Sequence, residues 1–171
     1  MITAHYVRAL SAYNAEMNRR VYGAAARLSD EERKLDRGAF FGSIHGTLNH
    51  LLWGDAAWMS RFAGWPMPGE KPEQGNPIFG DFAEMQTRRT RIDEGICAWA
   101  AGLTDDWLAG DLTWYSGMLK REMTAPKPAL VIHMFNHQTH HRGQAHALLT
   151  AAGEDPGGTD IAFILPPAVW G

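Results

Sequence analysis

The sequence predicts an all-α protein, a four-helix bundle with a small β-hairpin or extended segment before the last helix. Four long segments place apolar residues at alternating steps of three and four, the spacing that turns one helical face toward a core. Each segment is bounded by a capping residue or by Gly and Pro. The chain of 171 residues fits a single domain, which we assign to residues 1–171.

Composition excludes several classes of protein. Hydrophobic residues make up 45% and charged residues 20%, which is typical of a folded globular chain and not of a disordered one. Apolar runs are shorter than the roughly 18 residues of a membrane span, and Met1–Leu10 lacks the apolar core of a signal peptide. A net charge of -3 disfavours a nucleic-acid partner, and the single cysteine, Cys97, suits a reducing compartment. We therefore expect a cytoplasmic protein that acts on neither membranes nor nucleic acids.

The first predicted helix runs from Thr3 to Leu28. The residues of its apolar stripe are Tyr6, Leu10, Tyr13, Met17, Ala24 and Leu28. Asn14 falls off this stripe and is expected away from the core. Ser29 followed by Glu32 is the signature of a capping box, so we expect a short helical turn to follow the first helix.

The second and third predicted helices flank a loop. Ser43 is the N-cap of a helix that runs to about Ala63. The core-facing residues of that helix are Ile44, Leu48, Leu51, Asp55, Trp58 and Phe62. Residues 64–80 contain four Pro and four Gly and are predicted to form a loop. Asp81 begins a helix to about Leu103 whose apolar seam includes Arg89, and we expect that side chain to extend to the edge of the core.

Extended segments precede the last helix. A turn of helix is predicted after Thr104, and residues 112–115 and 119–123 predict a hairpin joined at Ser116-Gly117. Residues 155–171 form a tail rich in Gly and Pro. The apolar residues through which this tail is expected to pack as a loop are Ile161, Phe163 and Ile164.

Histidine is unusually frequent in this chain, and five of the eight histidines lie in the last helix, which is predicted from about Pro128 to Ala152. An advance of about 100° per residue places one stripe of that helix toward the core. The stripe contains Leu130, Met134, His137, His141, Ala145, Leu148 and Ala152. His137 and His141 thus lie in the middle of the core-facing side on adjacent turns, and their rings point the same way.

Two interpretations of this pair stay open on the spacing alone. Buried imidazoles must be satisfied, either by hydrogen bonds within a core or by a metal ion that binds one nitrogen of each ring. A metal ion needs further ligands, and the candidates outside the last helix are His5, His45, His50, Cys97 and the carboxylates. His50 lies away from the main stripe of the second helix, which is consistent either with a second buried face or with exposure.

Two segments resemble signatures of the DinB family. Residues 38–55 read GAFFGSIHGTLNHLLWGD and resemble the second-helix signature of that family. Residues 133–144 read HMFNHQTHHRGQ and resemble its last-helix signature. The opening helix and the order of the elements also agree, so the resemblance covers essentially the whole chain.

The resemblance implies a four-helix bundle, often dimeric, in which three histidines hold a divalent metal ion near one end. In this sequence they are His50, His137 and His141, with His45 as the fallback ligand and His140 as a neighbour. We expect zinc or nickel, which imidazole suits, with iron, manganese or copper as the alternatives. Gly54 departs from the family pattern, in which a small apolar residue larger than glycine is expected beside His50.

DinB-like relatives include thiol-dependent S-transferases and thiol-dependent isomerases of maleylpyruvate type. A site of three neutral histidines leaves an open position of the catalytic type, at which a thiol would be held as the thiolate. The resemblance therefore implies a metal-dependent transferase or isomerase, acting as a homodimer on a small-molecule thiol and a small electrophile. The alternative is a non-catalytic metal-binding bundle with a structural or stress-response role. No catalytic residue is assigned.

Side chains near the expected site have more than one interpretation. Gln144 at the edge of the site is a candidate hydrogen-bond donor, and Asp55 is either an acceptor behind the ligands or the partner of Arg89. Arg142 lies off the helical stripe and is predicted to be a surface or helix-end cation. The candidates for the wall of an apolar pocket, which are otherwise core residues, are Trp53, Trp58 and Trp114.

Overall fold

The computed structural model describes residues 1–69 and 79–169, which form a bundle of four long helices with one hairpin. Its elements are α1 (Ala4–Ala26), α2 (Asp30–Lys34), α3 (Ile44–Ala63), α4 (Phe82–Ala101), α5 (Asp105–Leu108), β1 (Asp111–Ser116), β2 (Arg121–Pro126), α6 (Lys127–Ala151) and α7 (Ile161–Ile164). The predicted four-helix bundle with a hairpin ahead of the last helix is confirmed. Within the described ranges, no helix combines the length and the apolar character that crossing a membrane requires.

Capping side chains begin α1, α3 and α4, and those of Ser43 and Asp81 are the predicted ones. Thr3, Ser43 and Asp81 each accept a hydrogen bond from the backbone N–H three residues later, which satisfies a donor that the helix leaves unpaired. Ser29 begins α2 with the predicted capping box. Gly64 ends α3 in the left-handed conformation, with a φ of 68° that favours glycine. Local side-chain chemistry therefore sets these helix boundaries.

The four long helices form a bundle in which each helix packs against its two neighbours. α1 and α3 each pack against both α4 and α6, so α1 and α3 occupy opposite corners of the bundle. Their apolar residues form two clusters, one toward each end. The first cluster includes Val21, Tyr22, Leu28, Ile44, Leu48, Phe82, Met85 and Leu149. The second cluster includes Val7, Met59, Phe62, Ile96, Leu103, Val131, Met134 and Phe135.

Buried polar side chains separate the two clusters. On each long helix they fall in the sequence between residues of one cluster and residues of the other. We call this set the polar layer, and its members are Asn14, Asn18, Asp55, Arg89, Asp93, Gln138 and Arg142. Burial of charged groups is costly unless they are paired and hydrogen-bonded. The charged and amide groups of the polar layer must therefore bind one another.

Arg89 is the centre of the polar layer. Its Nη1 donates to Asp55 Oδ2 at 2.8 Å, while Nε and Nη2 donate to the two carboxylate oxygens of Asp93 at 2.9 and 2.7 Å. Asn18 donates from α1 to Asp93 Oδ1 at 2.9 Å. The prediction that Arg89 extends to the edge of the core is wrong, because two buried carboxylates neutralise the guanidinium inside it. Of the two predicted roles of Asp55, the structure shows the pairing with Arg89.

The buried face of α1 is rotated from the predicted stripe. Tyr6 is 41% exposed, whereas Asn14 and Asn18 are almost fully buried. The prediction placed apolar residues inward and Asn14 outward. The structure corrects it because the polar layer needs amide groups from α1 to bind the charged groups of α4 and α6.

The hairpin lies where the sequence places it, with longer strands. β1 and β2 pair antiparallel, with Trp114 opposite Met123 and Ser116 opposite Arg121. Ser116 therefore belongs to β1, and the connection falls at residues 117–120 instead of at Ser116-Gly117.

The tail buries less of its apolar side chains than predicted. Ile161 and Ile164 are half-buried, but Phe163 is 89% exposed, because the short helix α7 turns this side chain outward. Of the predicted loop, residues 64–69 and 79–80 contain no helix or strand, and residues 70–78 lie outside the described residues.

The polar layer predicts a large difference between two neighbouring arginines of α4. Arg89→Ala leaves two buried carboxylates without their cation, so we expect the free energy of unfolding to fall by about 3–5 kcal/mol. Arg88→Ala removes an exposed pair with Glu84 and should cost at most about 1 kcal/mol. Urea unfolding followed by circular dichroism measures both. Equal losses in the two variants would contradict the central role of Arg89.

Candidate metal centre

Three histidine rings converge between α3 and α6. The ring centroids of His50, His137 and His141 lie 4.5–4.9 Å apart. Nε2 of His50 lies 2.9 Å from Nε2 of His137. One nitrogen from each ring can be chosen so that all three lie within 4.8 Å of one another. The structure therefore brings together the three residues that the sequence nominated as ligands.

His50 lies on a second buried face of α3. Its side chain is buried with the residue only 6% exposed, which settles the open choice between burial and exposure. Gly46 and Gly54 lie four residues before and after it, on the same side of the helix. A β-carbon at Gly46 would overlap the carbonyl oxygen of Phe41. This face is thus shaped by small residues on both sides of His50.

Gly54 makes room for His137. A β-carbon at Gly54 would lie 2.9 Å from His137 Cε1 and 3.4 Å from His137 Nδ1, closer than carbon atoms pack. The departure from the family pattern at this position therefore has a local reason. The imidazole of His137 occupies the space that a side chain at residue 54 would fill.

A glutamine orients the third histidine. His141 Nδ1 lies 2.7 Å from Gln144 Oε1, and because a carbonyl oxygen only accepts, this ring nitrogen carries the proton. Nε2 of His141 is then the nitrogen with a free lone pair, as a metal ligand requires. Gln144 thus accepts from the ligand, where the sequence suggested a donor. Its amide Nε2 lies 3.3 Å from Nε2 of the exposed neighbour His140.

Phe41 covers the rings from the segment before α3. Its ring stacks on His50 with centroids 3.9 Å apart and meets the edge of His141 at 5.3 Å. Glycines flank this segment, and Gly38 and Gly42 adopt positive φ angles of 70° and 71° that other residues rarely adopt. The sequence analysis did not single out Phe41, although a Phe between two turn-forming glycines just before a histidine-bearing helix was a usable signal.

The three rings fit a divalent metal ion. Zinc bonds of about 2.0–2.1 Å in tetrahedral geometry place ligand nitrogens about 3.4 Å apart. The nitrogens of His50 and His137 lie 2.9 Å apart and one nitrogen from each of the three rings lies within 4.8 Å of the others, so small ring movements give that spacing. Burial lowers the pKa of His141 and favours the neutral ring, which is the form that binds metal. The donor set is neutral, so it leaves the charge of a bound divalent ion uncompensated.

Aromatic side chains extend from His137 toward the hairpin. The His133 ring lies 6.0 Å from that of His137 and 5.2 Å from that of Trp58, and Trp58 contacts Trp114 of β1 at 6.0 Å. The Arg61 guanidinium lies over Trp58, 4.5 Å from the ring centroid. Two of the three predicted wall residues thus lie together beside the histidines.

Other candidate residues lie elsewhere. Trp53, the third predicted wall residue, donates to the Gly69 carbonyl oxygen at 3.4 Å and lines a separate groove with Trp65. His45, the fallback ligand, is buried and its Nε2 contacts the Phe79 carbonyl oxygen at 2.7 Å. Among the described residues, neither His5 nor Cys97 lies in a group of potential ligands.

Arg142 does not lie where the sequence analysis expected it. The prediction of a surface cation is wrong, because the residue is 6% exposed and belongs to the polar layer. The buried side of α6 is centred on Gln138 and Arg142, while His137 is only half-buried at its margin. Apolar periodicity could not show this, because a matched network brings polar side chains inward.

The fold and the three-histidine cluster together define a class of helical bundle with a candidate metal centre, and comparisons with known proteins identify its family. The model of the DinB family matches residues 1–168, so the chain belongs to the DinB family. A crystal structure of a DinB-like protein from Bacillus cereus has a TM-score of 0.60 at 17% sequence identity. The match covers 83% of this chain and 89% of that one, which shows a shared fold. No curated protein matches the chain.

Removal of one ring should abolish tight metal binding. We expect His137→Ala to weaken binding of Zn²⁺ or Ni²⁺ by more than about 100-fold, because even residues behind metal ligands are worth about 10–100-fold. His140→Ala is the matched control, since this neighbour is exposed and outside the cluster. Isothermal titration calorimetry and the metal content after dialysis measure both. Equal losses in the two variants would contradict the assignment.

Gly54 provides a second test that leaves all three histidines in place. Gly54→Ala should displace the His137 ring and weaken metal binding about tenfold or more. Gly23→Ala in α1 is the control, because a β-carbon there meets nothing within 4 Å. An alanine at residue 23 should leave binding unchanged and stabilise the helix by up to about 1 kcal/mol. Unchanged metal affinity in Gly54→Ala would show that the position of the His137 ring does not depend on the absence of a side chain at residue 54.

Proposed function

We propose that this protein is a divalent-metal-dependent enzyme that acts on a small thiol and a small electrophile, as a transferase or an isomerase. The observation that supports this most is the convergence of three imidazoles, without a carboxylate or cysteine in the group that they form among the described residues. A divalent ion at this position would supply the Lewis acidity that lowers the pKa of a nearby thiol and stabilises the nucleophilic thiolate. Zinc or nickel suits this donor set.

The side chains of this chain hold and enclose the ligand set. Gln144 fixes the tautomer of His141, so that one defined nitrogen points to the site. Gly54 lets His137 approach α3, and Phe41 covers one face of His50 and keeps water from it. Pre-organisation of this kind reduces the reorganisation needed when the ligands bind an ion.

The aromatic side chains beside His137 form a surface that suits the electrophile. Trp58, Trp114 and His133 extend from His137 as a continuous aromatic wall, which suits a small apolar or conjugated molecule. The half-buried Arg61 beside that wall contributes a positive charge. We assign this wall to the binding of the electrophile.

A structural metal site is the second candidate. The histidines come from two different helices, so a bound ion would cross-link α3 and α6 and stabilise the folded chain by its binding free energy. Such a site needs no aromatic wall and no open position. The homodimer implied by the family resemblance stays a prediction, which light scattering on the purified protein tests.

Thiol conjugation distinguishes the two candidates. We expect the metal-loaded protein to accelerate the reaction of cysteine or glutathione with a chromogenic aryl halide, and we expect chelation to abolish this rate. His141→Ala should lose the activity together with the metal, while His140→Ala should keep both. Activity that survives complete metal removal would refute the proposal. A metal-dependent rise in Tm without turnover of any thiol would support the structural site instead.

A further inference from the structure

A cavity of about 380 Å³ lies between α1 and α6, whereas the histidine cluster lies between α3 and α6. Its walls include Tyr13, Met17 and Val21 from α1 and Thr139, Arg142 and His146 from α6. Thr159 from the tail also lines it and is exposed, so the cavity opens to solvent. The volume is that of a pocket for a small organic ligand.

Arg142 presents one edge of its guanidinium to neutral partners. Nη1 donates to the side-chain oxygens of Asn14, Asn18 and Gln138, the last two at 3.4 and 3.3 Å. Nε and Nη2 make no hydrogen bond in the described part of the chain. Neither nitrogen is among the fully enclosed polar atoms that lack a partner, so both keep access to solvent. The Nε–Nη2 edge is therefore left to donate to a ligand in the cavity that Arg142 lines.

The charge of Arg142 is not neutralised by contact. The two carboxylates of the polar layer, Asp55 and Asp93, are hydrogen-bonded to Arg89 and act on Arg142 only through space. A guanidinium stays protonated in proteins, so the charge is present. A cation that is 6% exposed, and whose contacts are amide oxygens and the Tyr13 ring, lacks the carboxylate partner that buried charges usually have.

We propose that this cavity binds a small organic carboxylate, whose two oxygens accept hydrogen bonds from Nε and Nη2 of Arg142. These two donors are parallel and match a carboxylate in bidentate geometry. The apolar part of the ligand would contact Met17, Val21 and the ring of Tyr13, which lies 5.8 Å from the guanidinium carbon. The proposal does not depend on the metal centre or on the proposed enzymatic activity.

The test uses benzoate as the probe and the full chain as purified. We expect calorimetry to detect benzoate binding and to detect none for benzamide, which has the same shape without the charge. Ala147→Phe fills the cavity from an exposed position of α6 and should weaken benzoate binding about tenfold or more. Ala151→Phe is the matched control, because residue 151 is exposed one turn later and does not line the cavity.

A second variant tests the arginine itself. Arg142→Lys keeps the charge and loses the bidentate edge, so we expect a comparable loss of benzoate binding. Circular dichroism shows whether this buried substitution folds, and Ala147→Phe keeps the proposal testable if it does not. Unchanged benzoate affinity in Ala147→Phe, equal binding of benzamide, or binding of inorganic phosphate without any binding of benzoate would each overturn the proposal.

Discussion

The pairing of Arg89 with two buried aspartates is the interaction on which the rest of the bundle depends. Asp55 comes from α3 and Asp93 from α4, and Asn18 of α1 binds the second carboxylate. Packing between purely apolar faces would tolerate a shift of one helix along another by a full turn. A shift of that kind would place one of these charges against an apolar cluster and cost several kcal/mol. The polar layer thus selects one register for the helices.

That register also determines the candidate metal centre. Gln138 of the polar layer donates from Nε2 to the Leu51 carbonyl oxygen at 3.4 Å and so connects α6 to α3. Each end of this bond is one residue away from a candidate ligand, since His137 precedes Gln138 and His50 precedes Leu51. With α3 and α6 in this register, Nε2 of His50 lies 2.9 Å from Nε2 of His137, and the ring of His137 packs against Gly54.

α6 presents different chemistry to its two neighbours. Toward α3 it carries His137 and His141, which are neutral donors suited to a cation. Toward α1 it carries Arg142, whose open edge suits an anion. Adjacent residues 141 and 142 can serve opposite charges because consecutive side chains on a helix are about 100° apart.

The sequence by itself determined the helices and the caps of α2, α3 and α4, and its resemblance to a family nominated the three histidines that the structure brings together. Capping side chains such as Ser43 act within four residues, and the apolar spacing of α3 and α4 follows from a single helix, so both can be found without a partner. His50 was nominated by family resemblance, because the helical pattern of α3 left its burial open. Only the tertiary structure decided that Arg89, Asn14 and Arg142 are buried. Inward charges are stable only when groups from other helices neutralise or bind them, and no single helix contains that information.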